Sequence, residues 1–366
     1  MRRRWQAEGL TDVVNASGLK AAYAAFTSSV TFGDSFPSRG SHLFPGGIPH
    51  ETTLLTAVGS ASASSVTAQL KVLGHRVIGC DIYPQAWNAA SNEVDAFFQA
   101  VLATDRDAYI RQMEEAVQRE QIDFLIPLTD IEVDVLCSEK ARFAALGCTV
   151  CTPDEPAVRL CRNKMDMAAA LDMSGVCRTI PTASPYGREP LESEFPIMLK
   201  PVNGRSSQAQ VIARNIDQYR AAIQNRADYI AQPFIEGDIF TVEVARDLYG
   251  NVQALCRQEL LRTVNGLGTT VRIHPGHPLE ETCAAIAQQA GIVGVVNMEF
   301  IGQGDDFYFL EVNPRFSGGV GFCIAAGVDF AALEIACHEG ESIDPRPEVR
   351  PMTITRRIQP VITESE

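Results

Sequence analysis

The stretch "FYFLEVNPRFSGG", residues 307–319, begins as an apolar strand and ends in polar residues and glycines. Successive side chains of a strand point to opposite faces, so every second residue is expected to share one face. These residues are Phe307, Phe309, Glu311, Asn313 and Arg315. The pattern therefore predicts a row of polar groups at the end of a buried strand.

A second strand-like run, "VVNMEFI" at 295–301, precedes this stretch and is separated from it by "GQGDD". Glycine and aspartate favour a tight turn, so the two runs are predicted to form a hairpin centred on Asp305. In that register Glu299 lies directly opposite Glu311, with about 5 Å between the Cβ atoms. A register shifted by one residue would turn one of the two carboxylates to the other face.

Two facing carboxylates on an otherwise apolar hairpin are expected to need a cation between them. Carboxylate oxygens from Glu299 and Glu311 and the amide oxygen of Asn313 suit Mg²⁺, which commonly binds through one or two carboxylates plus substrate phosphates. Arg315 suits bidentate binding of a phosphate or a carboxylate. The alternative is a hairpin whose acids are solvated or paired with surface lysines; the spacing of four polar groups before a glycine-rich segment favours the metal site.

The composition is that of a globular protein of two or three domains, with 366 residues, 46% hydrophobic and 21% charged. A net charge of −14 argues against nucleic acid or an anionic membrane surface as a partner, because both need basic patches. The opening "MRRRW" is not followed by the apolar core of an export signal. With ten scattered cysteines and no membrane-spanning run, the chain is expected to be cytoplasmic.

The N-terminal third of the chain divides into two regions. Residues 1–50 are rich in Ser, Gly and Pro and are interpreted as a flexible N-terminal extension. Residues 51–155 alternate apolar strands with amphipathic helices, which predicts a Rossmann-like domain with a parallel sheet. Ligands of such sheets bind beyond the carboxyl ends of the strands. The polar or small residues expected at those ends are Gly59, Asp81, Thr129 and Asp130.

The order of the motifs over residues 52–345 resembles the ATP-grasp superfamily, in particular the ATP-binding halves of carbamoyl phosphate synthase large chains and amino-acid carboxylate–amine ligases. The motifs that carry the resemblance are "MLKP" with its following loop, "QPFIEGDIFTVEV" and "MEFIGQGDDFYFLEVNPRFSGG". The resemblance implies an α/β fold, α+β in its C-terminal part. A parallel-sheet pre-ATP-grasp domain would be followed by a two-lobed ATP-grasp fold with a mobile lid.

The implied boundaries continue from the N-terminal domain. Residues 156–235 would form a central helix region and the lid, residues 236–345 the C-terminal lobe with the Mg·ATP site, and residues 346–366 a tail or edge strand. By resemblance, Lys164 and Lys200 would meet the nucleotide phosphates.

The resemblance also assigns roles to further positions. The adenine hinge would consist of Gln232, Pro233, Phe234 and Ile235, and either Glu236 or Asp238 would reach the ribose. The metal ligands would be Glu299, Glu311 and Asn313, and the catalytic groups Arg315, Lys200 and Arg272. The loop after Lys200 has a single glycine where relatives usually have several, so Arg205, Ser206 and Ser207 are expected to supply phosphate donors. Further substrate contacts are expected from the segment 258–273, which includes Arg262.

The reaction implied is ATP-dependent joining of a small carboxylate, such as an amino acid, to an amine through an acyl phosphate. Its cofactors would be ATP and Mg²⁺, with Mn²⁺ as an alternative metal, and the chain is compatible with a homodimer. Two other functions stay open. One is an NAD(P)-dependent oxidoreductase: "AVGSAS" has one glycine where the fingerprint needs three, but Asp81 follows Gly59 at roughly the expected 20 residues. The other is a catalytically silent nucleotide- or amino-acid-binding protein.

Overall fold

The computed structural model describes residues 51–204, 209–344 and 348–364, which form three β-sheets with helices packed against them. The predicted extension, residues 1–50, lies outside the described residues. The α/β class expected from the sequence is confirmed, since a parallel N-terminal sheet is followed by a larger, mainly antiparallel one.

The N-terminal sheet has five parallel strands in the order β3-β2-β1-β4-β5. Its strands are β1 (Thr52–Leu55), β2 (Arg76–Asp81), β3 (Ala96–Gln99), β4 (Phe124–Ile126) and β5 (Thr149–Val150). Its helices are α1 (Ala63–Val72), α2 (Arg106–Glu120), α3 (Asp130–Leu136) and α4 (Lys140–Ala144). Because parallel strands end at one edge, the segments after β1, β2 and β4 come together there.

A small antiparallel sheet in the order β8-β7-β9 follows two consecutive helices. The helices are α5 (Glu155–Arg162) and α6 (Lys164–Ser174), and the strands are β7 (Ile197–Pro201), β8 (Val211–Ala213) and β9 (Tyr229–Pro233). Helix α7 (Ile216–Ile223) packs on this sheet, with Tyr219 and Ala222 buried against Ile197 and Leu199. This unit lies within residues 156–235, for which the sequence predicts a central helix region and a lid.

The largest sheet has seven strands in the order β15-β12-β11-β10-β13-β14-β6, all antiparallel except the pair β14 and β6. Its strands are β6 (Arg178–Thr179), β10 (Asp238–Arg246), β11 (Val252–Arg262), β12 (Gly268–His274), β13 (Gly294–Gln303), β14 (Asp306–Asn313) and β15 (Met352–Thr355). Helices α8 (Pro278–Gln289), α9 (Val320–Ala325) and α10 (Phe330–Glu339) complete the fold. Strand β15 forms the outer edge, one of the two alternatives that the C-terminal sequence left open.

The two faces of this sheet have different coverings. One face carries Val242, Cys256 and Met298 and is buried under α8 and the helices α5 and α6. The other face carries Leu255 and Val295 among its apolar residues and packs toward the N-terminal sheet and α10. Alternation along each strand therefore assigns every side chain of the sheet to the helix-covered face or to the face that looks toward the N-terminal sheet.

Three details of local structure go beyond the sequence pattern. Strand β3 was not predicted, because its four residues form a half-buried sheet edge with little pattern. The segment after β4 forms two helices, α3 and α4. Cys148 and Cys151 have the spacing of a redox or zinc motif, but two core cysteines are the interpretation that the sequence favours, and both are buried free thiols. Within the described residues no group of three or more His, Cys, Asp or Glu side chains is placed to hold a metal ion. Among those same residues, no helix is long and apolar enough to cross a membrane.

Candidate active site

The hairpin of β13 and β14 does pair Glu299 with Glu311, but the turn is shorter than expected. Gln303 pairs with Asp306 across a two-residue turn, so the hairpin is not centred on Asp305. A β-bulge at Leu310 then shifts the register by one residue, since Phe300 pairs with Phe309 while Glu299 pairs with Glu311. The predicted contact is correct because the bulge compensates for the turn.

The bulge also corrects the predicted row of side chains. Phe309 packs with Phe300 and Val312 in the core under the helices, on the face opposite Glu311. Phe307 likewise contacts Phe240, a residue of that core. The extra residue rotates the end of β14 so that its carboxylate and amide groups leave the aromatic face. The polar row thus begins at Glu311 and does not include the two phenylalanines.

Glu299 lies in a partly buried position where its negative charge is poorly balanced. Burial and the charge of Glu311 raise its pKa to about 7, against the opposing effect of Arg262. Arg262, at the end of β11, donates from Nη2 to Glu299 Oε2 at 3.2 Å. A carboxylate with a raised pKa between another acid and an arginine is poised to accept a further cation.

Glu311 is surrounded by cationic and amide donors. Lys164 Nζ lies 3.2 Å from Glu311 Oε2, and Asn313 Nδ2 donates to Glu311 Oε1 at 3.3 Å. Burial works to raise the pKa of Glu311, but Lys164 and Lys200 outweigh it and hold that pKa below the usual range. Glu311 is therefore the charged member of the facing pair.

Helix α6 and strand β7 position the two lysines. Asn163 caps α6 by accepting from the backbone N–H groups of Met165 and Asp166, so Lys164 stands at the first helical position. Lys164 Nζ also donates to the carbonyl of Gly204 at 2.7 Å, at the beginning of the lid loop. Lys200 is 2% exposed. Burial lowers the pKa of Lys200 to about 8, with Glu311 opposing and Lys164 adding to the shift.

Arg315 connects the large sheet to the N-terminal domain. Its Nη2 donates to Asp130 Oδ2 at 2.7 Å, and its Nη1 donates to the carbonyl of Phe316. Asp130 is buried and begins α3 directly after the end of β4. Arg315 Nε is buried and has no hydrogen-bond partner among the residues that the structure describes. The guanidinium is thus oriented from one side and keeps a donor for another group.

A cavity of about 550 Å³ extends from Glu299, Glu311 and Arg315 to the carboxyl ends of the parallel strands. The large sheet contributes Arg262, Asn297, Glu299, Glu311, Asn313, Arg315 and Ser317 to its wall. The residues predicted at the ends of the parallel strands, Gly59, Asp81, Thr129 and Asp130, line the opposite wall. The volume lies within the usual range of small-molecule sites.

The predicted adenine hinge forms the connection from β9 to β10, which does not line this cavity. Gln232 is buried and donates to Thr182 Oγ1, and the N–H of Phe234 donates to the carbonyl of Pro196. Asp238 accepts from Gln258 Nε2 and lies on the helix-covered face. Glu236 and Asp238 are both exposed, but Asp238 is already bonded to Gln258, so Glu236 is the better candidate for the ribose contact.

The structure does not bring Arg272 to the site. Arg272 pairs with Gln258 in the β11–β12 ladder, is exposed, and lies on the face opposite Glu299. Alternation along β12 turns its side chain away from the cavity, so the geometry gives its predicted catalytic role no support. Arg262 of the same predicted segment does line the cavity. Arg205, Ser206 and Ser207 lie outside the described residues.

Sequence reasoning missed a second charged group next to the site. Arg257 is 1% exposed and donates to Glu243, Glu259 and Ser317 at 3.0, 3.1 and 2.8 Å. Ser317 in turn donates to Glu243 from its backbone N–H and from Oγ. These bonds anchor the loop that follows Arg315. An arginine in the apolar run "ALCRQEL", with Glu259 two residues later on the same strand and Glu243 in the preceding apolar run, was the available signal.

The residues at the hairpin fit a magnesium ion by donor type. Glu299 and Glu311 offer carboxylate oxygens, and a divalent cation would relieve the repulsion that raises the pKa of Glu299. Asn313 now turns its amide nitrogen toward Glu311, so its oxygen would become a ligand only after rotation of the amide group. Two or three protein oxygens are typical for Mg²⁺, which keeps several waters and substrate phosphate oxygens.

Two protein-family models match the chain in separate regions. One, described as "ATP-grasp in the biosynthetic pathway with Ter operon", matches residues 225–360, and another, "PylC-like, N-terminal domain", matches residues 54–151. The carbamoyl phosphate synthase large chain of Rubrobacter xylanophilus is 24% identical over 314 residues, which are 77% of this chain. The match spans only 29% of that large chain.

Solved structures share the fold at lower identity. Biotin carboxylase from Campylobacter jejuni, in complex with an ATP analogue, superposes with a TM-score of 0.67 at 19% identity, over 80% of this chain and 72% of that one. An L-amino acid ligase from Bacillus licheniformis gives a TM-score of 0.66 at 18% identity, over 84% and 79% of the two chains. Residues 225–360 thus match an ATP-grasp family model, and the second family match, the ordered motifs and the fold make the rest of the described chain similar to ATP-grasp proteins.

Proposed function

We propose that the chain is an ATP-dependent carboxylate–amine ligase. A small carboxylate attacks the γ-phosphoryl group of ATP to give an acyl phosphate, and an amine then displaces phosphate to give an amide. The observation that carries this proposal is Glu311, which lines the cavity together with Arg315 and is also the acid that Lys164 and Lys200 act on from behind the cavity wall. The L-amino acid ligase with a similar fold supports the choice of an amide product.

The lysines suit the nucleotide phosphates. Lys200 is buried with a lowered pKa, so it gains most from a polyanion that replaces its lost hydration. Lys164 contacts both Glu311 and the carbonyl of Gly204, which couples the nucleotide end of the site to the lid loop. The hinge residues Gln232 to Ile235 and Glu236 are proposed for adenine and ribose, and the lid residues Arg205 to Ser207 for phosphate.

Arg315 suits the carboxylate substrate and its acyl phosphate. Asp130 holds the guanidinium by a short charged hydrogen bond, and the buried Nε–H of Arg315 has no partner within residues 51–204, 209–344 and 348–364. A guanidinium with fixed orientation binds planar carboxylates in bidentate fashion at little entropic cost. Arg262, now bonded to Glu299, is proposed as a second contact to the same substrate.

Glu299, Glu311 and Asn313 would hold Mg²⁺, or Mn²⁺ in its place, which when bound neutralises negative charge on the phosphates. The protein groups then orient the substrate and exclude water, and no side chain has to form a covalent bond. The bonds balance: the C–N bond forms as the acyl C–O bond to phosphate breaks. Of the two protons that an ammonium substrate loses, one leaves on hydrogen phosphate and one passes to solvent.

The cellular setting is proposed from composition alone. The acidic chain with its buried free thiols is expected in the cytoplasm, with small molecules as substrates and without nucleic acid or membrane partners. A homodimer stays a prediction, for which the sedimentation coefficient is the measurement.

Hydroxylamine trapping tests the proposed function. The protein is incubated with Mg·ATP, hydroxylamine and, one at a time, the common amino acids and short-chain carboxylic acids, and ADP and hydroxamate are measured. Hydroxamate formed in step with ADP for one class of acid is the expected result, and it reports an acyl phosphate directly. Thermal stabilisation by NAD(P) without response to ATP would instead favour the oxidoreductase, and ATP binding without ADP formation would favour a silent binding protein.

A further inference from the structure

The two walls of the cavity carry different charges. Among the described residues that line it, the cationic ones, Arg262 and Arg315, both come from the large sheet. The wall formed by the N-terminal domain offers acids, of which Asp130 is bonded to Arg315 and Glu132 caps α3 through Thr129. A cavity divided in this way is suited to an anionic group at one end and a cationic group at the other.

Asp81 is the acid of this wall that is placed for a ligand. It ends β2, is 6% exposed, and accepts one backbone N–H at each oxygen, from Gly59 at 2.8 Å and from Tyr83 at 3.0 Å. These two bonds fix the carboxylate but leave each oxygen a further lone pair. No ion pair of Asp81 occurs in the part of the chain that the structure describes, so its buried charge has no cationic partner there.

A donor and a close backbone lie beside Asp81. Asn88 Nδ2 is buried, and no described residue is its hydrogen-bond partner. A Cβ added at Gly59 would lie 2.5 Å from Asn88 Oδ1 and 3.0 Å from Asp81 Oδ2, so the three residues are adjacent and glycine is required for space. A buried amide donor without a partner is costly, which points to a ligand oxygen at this position.

An apolar rim completes the group. Ile82, Tyr83 and Leu102 line the cavity and are 41%, 51% and 56% exposed. The ring of Tyr83 is stacked with that of Trp87, with 5.9 Å between the centroids. Exposed apolar residues around the opening of a cavity suit an apolar part of a ligand.

We infer that the wall formed by the N-terminal domain is the binding site of the amine substrate, with Asp81 as the counter-charge of its ammonium group. Asn88 donates to an oxygen next to the amine, and Tyr83 with its apolar neighbours contacts the side chain. These requirements describe an apolar α-amino acid or its amide. That the bound amine is a substrate rests on the proposed function, but its binding can be measured separately.

The test uses L-leucinamide, which has the ammonium group, the oxygen and the apolar side chain, and N-acetyl-L-leucinamide, which lacks the charge. Titration calorimetry with the intact protein, Mg²⁺ and a non-hydrolysable ATP analogue is expected to show at least tenfold tighter binding of L-leucinamide. Asp81→Asn should remove this preference, because a charge-assisted contact is worth about tenfold to a hundredfold. Asp95→Asn is the matched control, since Asp95 also accepts a backbone N–H beside β2 but does not line the cavity.

A second variant guards against local misfolding of Asp81→Asn. Tyr83→Ala should weaken L-leucinamide severalfold but not glycinamide, while Tyr249→Ala, an exposed tyrosine away from the cavity, should change neither. Equal affinity of the protein for both leucinamides, or an unchanged preference in folded Asp81→Asn, overturns the inference. Hydroxamate formation without leucinamide binding leaves the ligase standing and removes the amine site; leucinamide binding without hydroxamate or ADP keeps the site and removes the ligase.

Discussion

Two groups of buried charged side chains lie on the same face of the seven-stranded sheet, and they differ in how their charges are balanced. Arg257 on β11 is bonded to Glu243, Glu259 and Ser317. Glu299 lies across β10 from it, because Thr241 pairs with Arg257 on one side and with Glu299 on the other. We call the first group the arginine cluster and the facing pair Glu299 and Glu311 the acid pair.

The comparison separates burial from function. In the arginine cluster each nitrogen of the guanidinium has a partner, so the charges stabilise each other and fix the loop after Arg315. In the acid pair, like charges face each other and the pKa of Glu299 is raised to about 7. Both groups are largely removed from solvent, but only the acid pair would gain from an added cation. An unbalanced buried charge is therefore the better indicator of a ligand site.

The largest expected effect is the loss of turnover when the acid pair is changed. Glu311→Gln removes the charge that holds Lys164 and would hold the metal, so ADP formation should fall at least ten-thousandfold, or about 5.5 kcal/mol. Lys200→Ala should also abolish turnover. Asp306→Asn, on the same hairpin but paired with the exposed Arg178, should retain full activity. An active, folded Glu311→Gln protein would refute the assignment of this site.

The arginine cluster should respond through stability. Arg257→Met leaves Glu243 and Glu259 buried without their cation, which is expected to lower the free energy of unfolding by about 3–5 kcal/mol. Chemical denaturation of both proteins at one pH measures the difference. Arg178→Met, which removes an exposed ion pair, should change it by less than about 1 kcal/mol.

A small loss of stability with a large loss of turnover in Arg257→Met would break the comparison. It would mean that Arg257 acts on the substrate and not through the loop 316–319. The double variant Arg257→Met with Glu243→Gln should recover part of the stability, because it removes one of the uncompensated carboxylates.

A neutral residue in the acid pair should make the metal-free protein more stable. Glu299→Gln removes a charge whose folded pKa, about 7, lies above the ordinary 4.5. Because the folded state holds the proton more tightly, the wild type loses stability as pH rises from 4.5 to 7, and the penalty is complete above 7. Denaturation should therefore show Glu299→Gln to be more stable by about 3 kcal/mol at pH 8 and by little near pH 4.5. Equal stability at pH 8 would show that Arg262 already balances Glu299.

Much of the fold and the centre of the site could be predicted from sequence, for local reasons. Alternation and turn residues define the β13–β14 hairpin, and the facing of Glu299 and Glu311 follows from them. The bulge at Leu310 could not be predicted, because it depends on packing Phe309 against the core under the helices. The pairing of Glu299 with Glu311 was predicted correctly because the error in the turn length and the missed bulge cancel.

The contacts between distant segments were beyond reach. Asp130 was expected at the end of a strand, but nothing in its sequence neighbourhood indicates that it binds Arg315, which is 185 residues away. The face on which Arg272 lies could not be predicted, because it depends on which residue of β11 pairs with Arg272. Such features are set by how the sheets meet, and a linear pattern records only the residue types available.

The smallest expected effect is a pH dependence of nucleotide binding that arises from Lys200. Like Glu299 of the acid pair, Lys200 has a pKa that burial shifts toward the neutral form. Burial lowers the pKa of Lys200 to about 8, so without nucleotide the folded protein loses this proton as the pH rises through 8. The unfolded protein keeps the proton up to the ordinary pKa of 10.5. Between pH 8 and 10.5 the folded state binds fewer protons than the unfolded state, so its stability should rise across that range.

Nucleotide phosphates need the charged amine of Lys200, so the Kd for ADP should rise by up to tenfold per pH unit above 8, or about 1.4 kcal/mol. Calorimetry at pH 9 in two buffers of different ionisation enthalpy should detect uptake of up to one proton on binding. Lys200→Arg, which stays charged, should bind without that uptake and with a flat pH profile. The same slope in both proteins would assign the titration to another group and leave Lys200 as a cation already balanced by Glu311, as Arg257 is by its acids.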